Sequence, residues 1–311
     1  MPSIPTTSLK GSRIYNLSMT LLAVLKEITT LFGKNGIDYP AKEAEILLTE
    51  ALRITSSTLY AGDRLLSAGE VGQVRSFAAR RARGEPLQYI VGHVAFCGLR
   101  INVGPGVLVP RPETELLVQE VIRFLREKHP HTSPPYQGGD VWVSILDLCT
   151  GSGCIALALA KNFPKSDVYG VDTSEAAMVY ATQNAIGEGI SNIHFKLGDL
   201  FGPIHGMTFD CIICNPPYIR AGEIATLQRE VRDYEPREAL DGGKDGLDFY
   251  RRIVKEAPRY LKQGGILALE LGYDQAEAVQ KMALDAGFGG IRLLEDYAGI
   301  QRILLAYSGA R

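Results

Sequence analysis

Short apolar stretches alternate with longer helical patterns through the second half of the chain, and this alternation restricts the fold more than any other sequence feature. Apolar stretches predict strands at residues 141–148, 168–171, 194–197, 209–214 and 265–271. Helical patterns predict helices at residues 115–126, 154–162, 174–188, 247–261 and 275–286. A closing pair, residues 291–294 and 302–306, has the spacing of an antiparallel edge hairpin. Together these elements predict an α/β fold, with a seven-stranded, mostly parallel sheet and helices on both faces.

The first third of the chain is organised differently, so the 311 residues are expected to form two domains. Residues 1–16 lack periodicity and are expected to be a disordered tail. Residues 17–86 carry apolar side chains at helical spacing and predict a small helical N-terminal domain. Residues 87–112 predict a β-hairpin and linker, because β-branched and aromatic side chains alternate there with glycines and prolines. The larger domain occupies residues 113–311.

Two predictions concern the chain just before the first strand of the large domain. Pro110 and Pro112 lead to Thr114, which we expect to cap the N-terminus of the helix at residues 115–126. Residues 129–140 contain three prolines and two glycines, so a surface loop is predicted there.

Composition argues against several classes of protein. The formal net charge of −2 gives no overall positive field, so we expect no nucleic-acid partner. No apolar run approaches the ~18 residues that a membrane span needs, so we expect no membrane partner and a cytoplasmic location. The chain has five cysteines, an odd number without the spacing of a disulfide framework, and this indicates a reducing compartment. Cys211 and Cys214 form a C-x-x-C, but they lie in an apolar stretch without a second ligand pair, so no metal is expected.

A glycine-rich turn follows the first strand of the predicted sheet. The turn contains Gly151, Ser152 and Gly153 and leads directly into a helix. Glycines let the main chain approach a ligand, and the helix N-terminus presents free amide donors to it. Asp172 ends the second strand about 20 residues later, where a carboxylate is suited to accept both hydroxyls of a ribose. This pattern fits either a nicotinamide dinucleotide or S-adenosylmethionine.

Three residues favour S-adenosylmethionine as the ligand. Asp147 precedes Gly151 by four residues, where it could organise the turn or reach the amino group of a methyl donor. Asp199 follows the third strand, and an adenine ring could pack beside the adjacent Leu200.

The most informative segment follows the fourth predicted strand and consists of Asn215, Pro216, Pro217 and Tyr218. Two prolines stiffen the turn and remove two main-chain donors. The Asn215 side-chain oxygen and the Pro216 carbonyl then offer two acceptors to one NH2 group. Tyr218 supplies a flat apolar face for a planar acceptor. Acceptors of this kind orient an amide nitrogen and favour its rehybridisation as positive charge develops during methyl transfer. The segment therefore predicts methylation of an amide or amine nitrogen.

Several stretches resemble one family, the protein-(glutamine-N5) methyltransferases of peptide chain release factors. They read GEPLQYI at residues 84–90, VLVPRPETE at 107–115, DLCTGSG at 147–153, NPPY at 215–218, and EPREALDGG at 235–243. The resemblance extends from about residue 42 to the end of the chain. It implies a class I, Rossmann-like methyltransferase domain at residues 113–311. From the architecture, we expect the helical domain at residues 17–86 to dock the body of a protein substrate, which a single glutamine could not specify alone.

The resemblance also implies roles for individual residues. The donor S-adenosylmethionine would be bound by Asp147, Cys149, Thr150, Gly151, Ser152, Gly153, Asp172, Asp199, Leu200 and Asn215. The acceptor would be the glutamine amide of the Gly-Gly-Gln tip of class 1 release factors. It would be held by Asn215, Pro216, Pro217 and Tyr218. Arg111 and Glu113 either line the acceptor channel or form a structural ion pair.

Other functions fit parts of the sequence. An adenine-N6 methyltransferase of DNA or RNA uses the same Asn-Pro-Pro-aromatic logic, but it must flip a base and usually carries a basic domain. A glutamine methyltransferase of a ribosomal protein is a second alternative. A nicotinamide-dependent oxidoreductase would leave the diproline segment unexplained, and a non-catalytic binding protein would leave the intact acceptor site unexplained.

Overall fold

The computed structural model describes residues 19–61, 64–128 and 142–309. The predicted tail at residues 1–16 and the predicted loop at 129–140 lie outside these residues. The chain divides into two compact units, Met1–Val91 and Gly92–Arg311. The division falls five residues after residue 86, where the sequence predicted that the helical domain ends.

The first unit is helical. Its helices are α1 (Leu21–Lys34), α2 (Pro40–Leu52), α3 (Ser56–Ala61), α4 (Ala68–Ala82) and α5 (Leu87–Val91). Two short strands, β1 (Met19–Thr20) and β2 (Leu65–Leu66), pair in antiparallel fashion. Apolar residues from α1, α2 and α4 form a buried core of their own, including Val24, Phe32, Leu47 and Val74. The predicted helical N-terminal region is therefore confirmed.

A β-hairpin opens the second unit. Strands β3 (His93–Phe96) and β4 (Leu99–Asn102) pair through a two-residue turn, Cys97-Gly98. Both turn residues have positive φ, as a tight hairpin turn requires. The sequence prediction placed the start of the hairpin and linker at residue 87, which is too early. Residues 87–91 form helix α5, and the Pro86 carbonyl just before it accepts from the amides of Tyr89 and Ile90.

A seven-stranded sheet forms the centre of the second unit. Its strands are β5 (Ser144–Leu148), β6 (Asp167–Asp172), β7 (Ile193–Leu197), β8 (Phe209–Cys214), β9 (Leu261–Glu270), β10 (Gly290–Glu295) and β11 (Gln301–Tyr307). Their order is β10-β11-β9-β8-β5-β6-β7, and only β11 runs antiparallel to its neighbours. The predicted seven-stranded, mostly parallel sheet is confirmed. The strand order reverses between β5 and β8, and ligands of open α/β sheets bind at such a point.

In the described part of this unit, the α-helices are α6 (Pro112–Lys128), α7 (Cys154–Asn162), α8 (Glu175–Gly187), α9 (Arg229–Tyr234), α10 (Asp248–Tyr260) and α11 (Ala276–Asp285). Helices α10 and α11 pack on one sheet face, where Tyr250 and Val279 join the buried core around Leu146, Ile212 and Leu267. Helices α6 and α7 also contact the sheet.

The start of α6 corrects one prediction. Thr114 does not cap a helix that begins at residue 115, because α6 already begins at Pro112. Proline is favoured at a first helical position, where its fixed φ suits the helix and its missing N–H is not needed. Thr114 therefore lies in the first turn, with its side chain buried.

Candidate active site

A cavity of about 320 Å³ lies at the carboxyl ends of strands β5, β6 and β8. This volume falls within the usual range for a small-molecule site. Nine predicted site residues line it: Cys149, Thr150, Gly151, Ser152, Asp172, Asp199, Leu200, Asn215 and Pro217. Of the residues that the structure describes, six predicted ones are not part of this lining: Arg111, Glu113, Asp147, Gly153, Pro216 and Tyr218.

The glycine-rich turn adopts a conformation that depends on its residue types. Cys149, Gly151 and Gly153 all have positive φ. Gly153 is the N-cap of α7, and a Cβ there would lie 3.0 Å from the Cβ of Ala181 and 3.2 Å from the ring of Phe195. Gly153 therefore allows helix packing behind the turn and does not face the cavity. Thr150 anchors the turn to β6, because its amide donates to the Val171 carbonyl at 3.0 Å.

Asp147 organises this turn from beneath. Its side chain is fully buried, and Oδ2 accepts from the Thr150 hydroxyl at 2.5 Å and from the Ala156 amide at 3.2 Å. Burial raises the pKa of Asp147 to about 7. Of the two roles that the sequence left open for Asp147, this geometry favours the organisation of the turn.

Asp172 lies at the end of β6 and faces the cavity. One carboxylate oxygen accepts from the Gly151 amide at 2.8 Å, and the other accepts from the Ser174 amide at 2.9 Å. An ionised carboxylate offers about four acceptor positions, so about two remain for a ligand. Asp172 therefore both fixes the glycine turn and keeps acceptors for hydroxyl groups.

Another part of the cavity wall comes from the segment after β7 and from α10. Leu200 lines the cavity and has positive φ, and Phe249 of α10 lines it as well. These side chains give the wall an apolar face that suits a flat ring. Asp199 also lines the cavity, and it forms an ion pair with Arg252 at the surface.

The diproline turn is held from behind by a glycine-rich segment. The Ile219 amide donates to the Leu240 carbonyl at 2.9 Å, and the Gly242 amide donates to the Ile219 carbonyl at 2.8 Å. A Cβ on Gly242 would lie 2.8 Å from the carbonyl oxygen of Pro217. Only glycine allows this approach, so the segment at residues 240–243 fixes the position of the turn.

Gln275 makes a second connection to the turn. Its side-chain nitrogen donates to the Tyr218 carbonyl at 2.9 Å and to the Gly246 carbonyl at 3.2 Å. Its side-chain oxygen accepts from the Gly272 amide at 3.0 Å. One buried amide therefore ties the diproline turn to the chain that follows β9.

Asn215 belongs to a hydrogen-bonded chain that the sequence did not suggest. Its side-chain nitrogen donates to the Thr114 hydroxyl oxygen at 3.2 Å, and that hydroxyl donates to Oε2 of Glu270 at 2.6 Å. The Tyr218 hydroxyl donates to Oε1 of Glu270 at 3.2 Å. Glu270 is almost fully buried, and burial raises its pKa to about 7. This arrangement leaves the Asn215 side-chain oxygen for another donor.

Arg111 and Glu113 have separate surroundings. Arg111 donates to Oε1 of Glu235 at 2.7 Å, so its ion-pair partner is a residue that the sequence did not suggest. Their neighbours Pro110 and Pro236 both line the cavity, so the pair joins two segments of its wall. The charge of Glu113 contributes to the raised pKa of Glu270.

The sequence also left several lining residues unassigned. Gly106, Val107, Leu108 and Thr114 come from one segment, and Pro236, Glu238 and Ala239 come from another. All of these residues except Gly106 lie within stretches that resembled the family, so that likeness was the available signal. Neither segment directly follows a strand of the seven-stranded sheet. The sequence analysis looked for ligand-binding residues at the ends of those strands, so it did not assign these residues to the site.

Within the described ranges, no group of three or more His, Cys, Asp and Glu side chains is arranged to hold a metal ion. Cys211 and Cys214 are both fully buried in β8. Among the helices of the described residues, none is both long and apolar enough to cross a membrane.

Fold and cavity together define a class I methyltransferase. Two family models match the chain, the PrmC N-terminal domain over residues 23–92 and a methyltransferase domain over residues 141–289. The chain is 43% identical over 287 residues to the release factor glutamine methyltransferase of Thermodesulfovibrio yellowstonii. The aligned region covers 92% of this chain and 98% of that protein. It is also 43% identical to the enzyme of that name from Geobacter sulfurreducens, over 92% of this chain and 95% of that protein. The chain belongs to the release factor glutamine methyltransferase family.

The solved structures agree on the fold. A methyltransferase from Pyrococcus furiosus matches with a TM-score of 0.50 at 24% sequence identity. The match covers 68% of this chain and 90% of that one.

Proposed function

We propose that this protein transfers the methyl group of S-adenosylmethionine to the side-chain N5 of the glutamine in the Gly-Gly-Gln motif of class 1 release factors. One observation carries the proposal. Asn215, the glycine turn and Asp172 line a single cavity at the carboxyl edge of the sheet. This supports the proposal, because methyl transfer between two bound molecules requires the donor site and the acceptor-binding side chain to lie together.

The residues of the cavity fit the methyl donor. The remaining acceptor positions of Asp172 suit the two hydroxyls of a ribose, while Leu200 and Phe249 offer an apolar wall for the adenine. The turn at residues 149–153 brings the main chain close to the ligand at the start of α7. When bound, the sulfonium supplies an electrophilic methyl carbon and a good leaving group.

The acceptor side acts on the nitrogen. The two amide hydrogens donate to the Asn215 side-chain oxygen and to the Pro216 carbonyl, which draws electron density toward the nitrogen and fixes its lone pair. The lone pair forms the new N–C bond while the C–S bond breaks and its electrons remain on sulfur. The nitrogen then loses one proton, which leaves an N-methylated amide and S-adenosylhomocysteine. Holding both reactants in line contributes at most about 7–11 kcal/mol.

The identity of the protein substrate rests on family membership. The relatives at 43% identity are named for release factor glutamine, and the family model at residues 23–92 covers most of the helical unit. A lone glutamine side chain cannot distinguish one protein from another. We therefore assign the recognition of the release factor body to this helical unit.

A labelled methyl donor tests the proposal. The protein is incubated with methyl-labelled S-adenosylmethionine and, in parallel, an intact class 1 release factor, a release factor with Gly-Gly-Gln changed to Gly-Gly-Ala, and duplex DNA. Label should enter only the first substrate. Label in the DNA would instead support an adenine-N6 methyltransferase, and equal label in both release factors would place the reaction at another residue.

A further inference from the structure

The hydrogen bonds behind Asn215 have a fixed direction because they end on a carboxylate. An ionised Glu270 can only accept, so the Thr114 hydroxyl donates its proton to it. The Thr114 oxygen then has only lone pairs to offer Asn215, whose side-chain nitrogen lies 3.2 Å away. The oxygen and nitrogen of an asparagine amide have almost the same shape, so the neighbouring donors and acceptors determine which way the amide faces.

We propose that Glu270 is a positioning residue that acts through Thr114 to keep the Asn215 side-chain oxygen turned toward the acceptor nitrogen. The inference rests on the proposed function, because an NH2 acceptor needs an oxygen at this place. With the amide reversed, Asn215 would present N–H groups to the N–H groups of the acceptor, and no hydrogen bond would form.

The position of Glu270 follows from strand register. Cys214 of β8 lies opposite Leu269 of β9, so the next residues, Asn215 and Glu270, both lie at the carboxyl edge of the sheet. Thr114 reaches this edge from the first turn of α6, and it also lines the cavity. The three side chains thus come from three elements that converge on the acceptor side.

The surroundings of Glu270 limit its ionisation. Burial is the main reason that its pKa rises to about 7, and the charge of Glu113 on α6 adds to this rise. The hydroxyl of Tyr218 and the charge of Arg302 on β11 favour the ionised form. Tyr250 of α10 donates to the Glu270 main-chain carbonyl at 2.8 Å. An uncharged side chain at this position would avoid the free-energy cost of burying a charge. We therefore infer that a carboxylate is present because it fixes the direction of the hydrogen bonds through Thr114 to Asn215.

The turnover number kcat should depend on the ionisation of Glu270 and therefore on pH. A protonated Glu270 carries its own donor, so the chain loses its fixed direction and Asn215 can reverse. The kcat at saturating donor and acceptor should therefore rise with pH through about 7 and level off above it. Asp147 has a similar pKa but lies beneath the donor turn, so its titration should alter the affinity for the donor instead.

Four variants test the positioning role, with the release factor and S-adenosylmethionine as substrates. Thr114→Ser keeps the hydroxyl and should retain kcat within about threefold. Thr114→Val removes it at equal volume, and Glu270→Gln removes the fixed direction. Each should lower kcat by about tenfold, as expected for one misdirected hydrogen bond, while the Kd of the donor stays unchanged. Tyr250→Phe serves as the matched control. It removes a buried hydroxyl that donates to the main-chain carbonyl of Glu270 and takes no part in the hydrogen bonds between Glu270, Thr114 and Asn215.

The Glu270→Gln variant should also lose the rise of kcat near pH 7. Equal kcat in the serine and valine variants at Thr114 would overturn the inference, as would an unchanged pH profile in Glu270→Gln. A loss of kcat in Tyr250→Phe as large as in Glu270→Gln would also overturn the inference, because both losses would then come from a general disturbance of the local structure.

A spectroscopic test needs no acceptor. In protein labelled with ¹⁵N at asparagine, the NH2 protons of Asn215 should show a nuclear Overhauser effect to the Thr114 side chain, and this effect should weaken in Glu270→Gln. An effect that is absent from the parent protein, or unchanged in the variant, would refute the positioning role. A parent protein that shows the effect but leaves the release factor unmethylated would instead refute the proposed function alone.

Discussion

Replacing Asp172 by asparagine should weaken the binding of S-adenosylmethionine by roughly 10- to 150-fold. Asp172 accepts one hydrogen bond from the Gly151 amide at 2.8 Å and another from the Ser174 amide at 2.9 Å. Asparagine has one acceptor oxygen, so its NH2 group must face one of these two amide donors or turn away. Losing one charge-assisted hydrogen bond costs about 1.5–3 kcal/mol, which corresponds to the stated change in Kd.

Isothermal calorimetry with S-adenosylmethionine measures this change, and thermal unfolding establishes that the variant is folded. Asp167→Asn provides a matched control. Asp167 lies at the other end of the same strand, is about half exposed, and has a carboxylate oxygen 3.5 Å from Nε2 of His194. Its Kd should remain within about twofold of the parent value. An Asp172→Asn variant with unchanged affinity, or an equal loss in Asp167→Asn, would refute the assignment of the donor site.

Four further predictions concern the acceptor side, stability and the helical unit. Asn215→Ala should lower kcat by at least about 100-fold and leave donor affinity nearly intact; calorimetry showing that affinity falls with turnover would reassign Asn215 to the donor. Gly242→Ala would place a Cβ 2.8 Å from the carbonyl oxygen of the second proline of the turn, so kcat should fall and the free energy of unfolding should drop by about 1–3 kcal/mol. Gly222→Ala, whose Cβ would meet nothing within 4 Å, should change neither quantity. The pKa of Glu270 rises from 4.5 to about 7 on folding, so the folded state holds its proton more tightly and the parent protein loses stability as pH rises between these values. Urea unfolding should therefore show the stability of Glu270→Gln, relative to the parent, increasing by up to ~3 kcal/mol across this window, and a constant difference would contradict the shift. Removal of residues 1–91 should spare donor binding but abolish discrimination among protein substrates, and unaltered selectivity would argue against a docking role.

The sequence predicted the middle of the sheet well because strands such as β8 are buried along their whole length. The predicted strand at residues 209–214 and the predicted helix at 154–162 have the bounds observed for β8 and α7. Such continuous apolar runs leave little ambiguity about burial. The strand ends then located the glycine turn, Asp172 and Asn215, all of which line the cavity.

The sequence could not reveal contacts that depend on register and on segments between strands. Glu270 resembles an ordinary charged residue at a strand end, and only the pairing of β8 with β9 brings it beside the diproline turn. Thr114 resembled a helix cap, because a threonine before an apolar helical pattern has that meaning more often. Asp147 had the spacing of a ligand contact, yet its side chain lies beneath the turn and bonds to Thr150.

Mass spectrometry of the reacted release factor tests the central claim most directly. After incubation with S-adenosylmethionine, fragmentation of the peptide that contains Gly-Gly-Gln should place one added methyl group on the side-chain amide of the glutamine. The Asn215→Ala variant should leave that peptide unmodified. A methyl group on another residue, or an unmodified glutamine in the presence of the parent protein, would contradict the assignment of the diproline turn as the site that binds the glutamine amide.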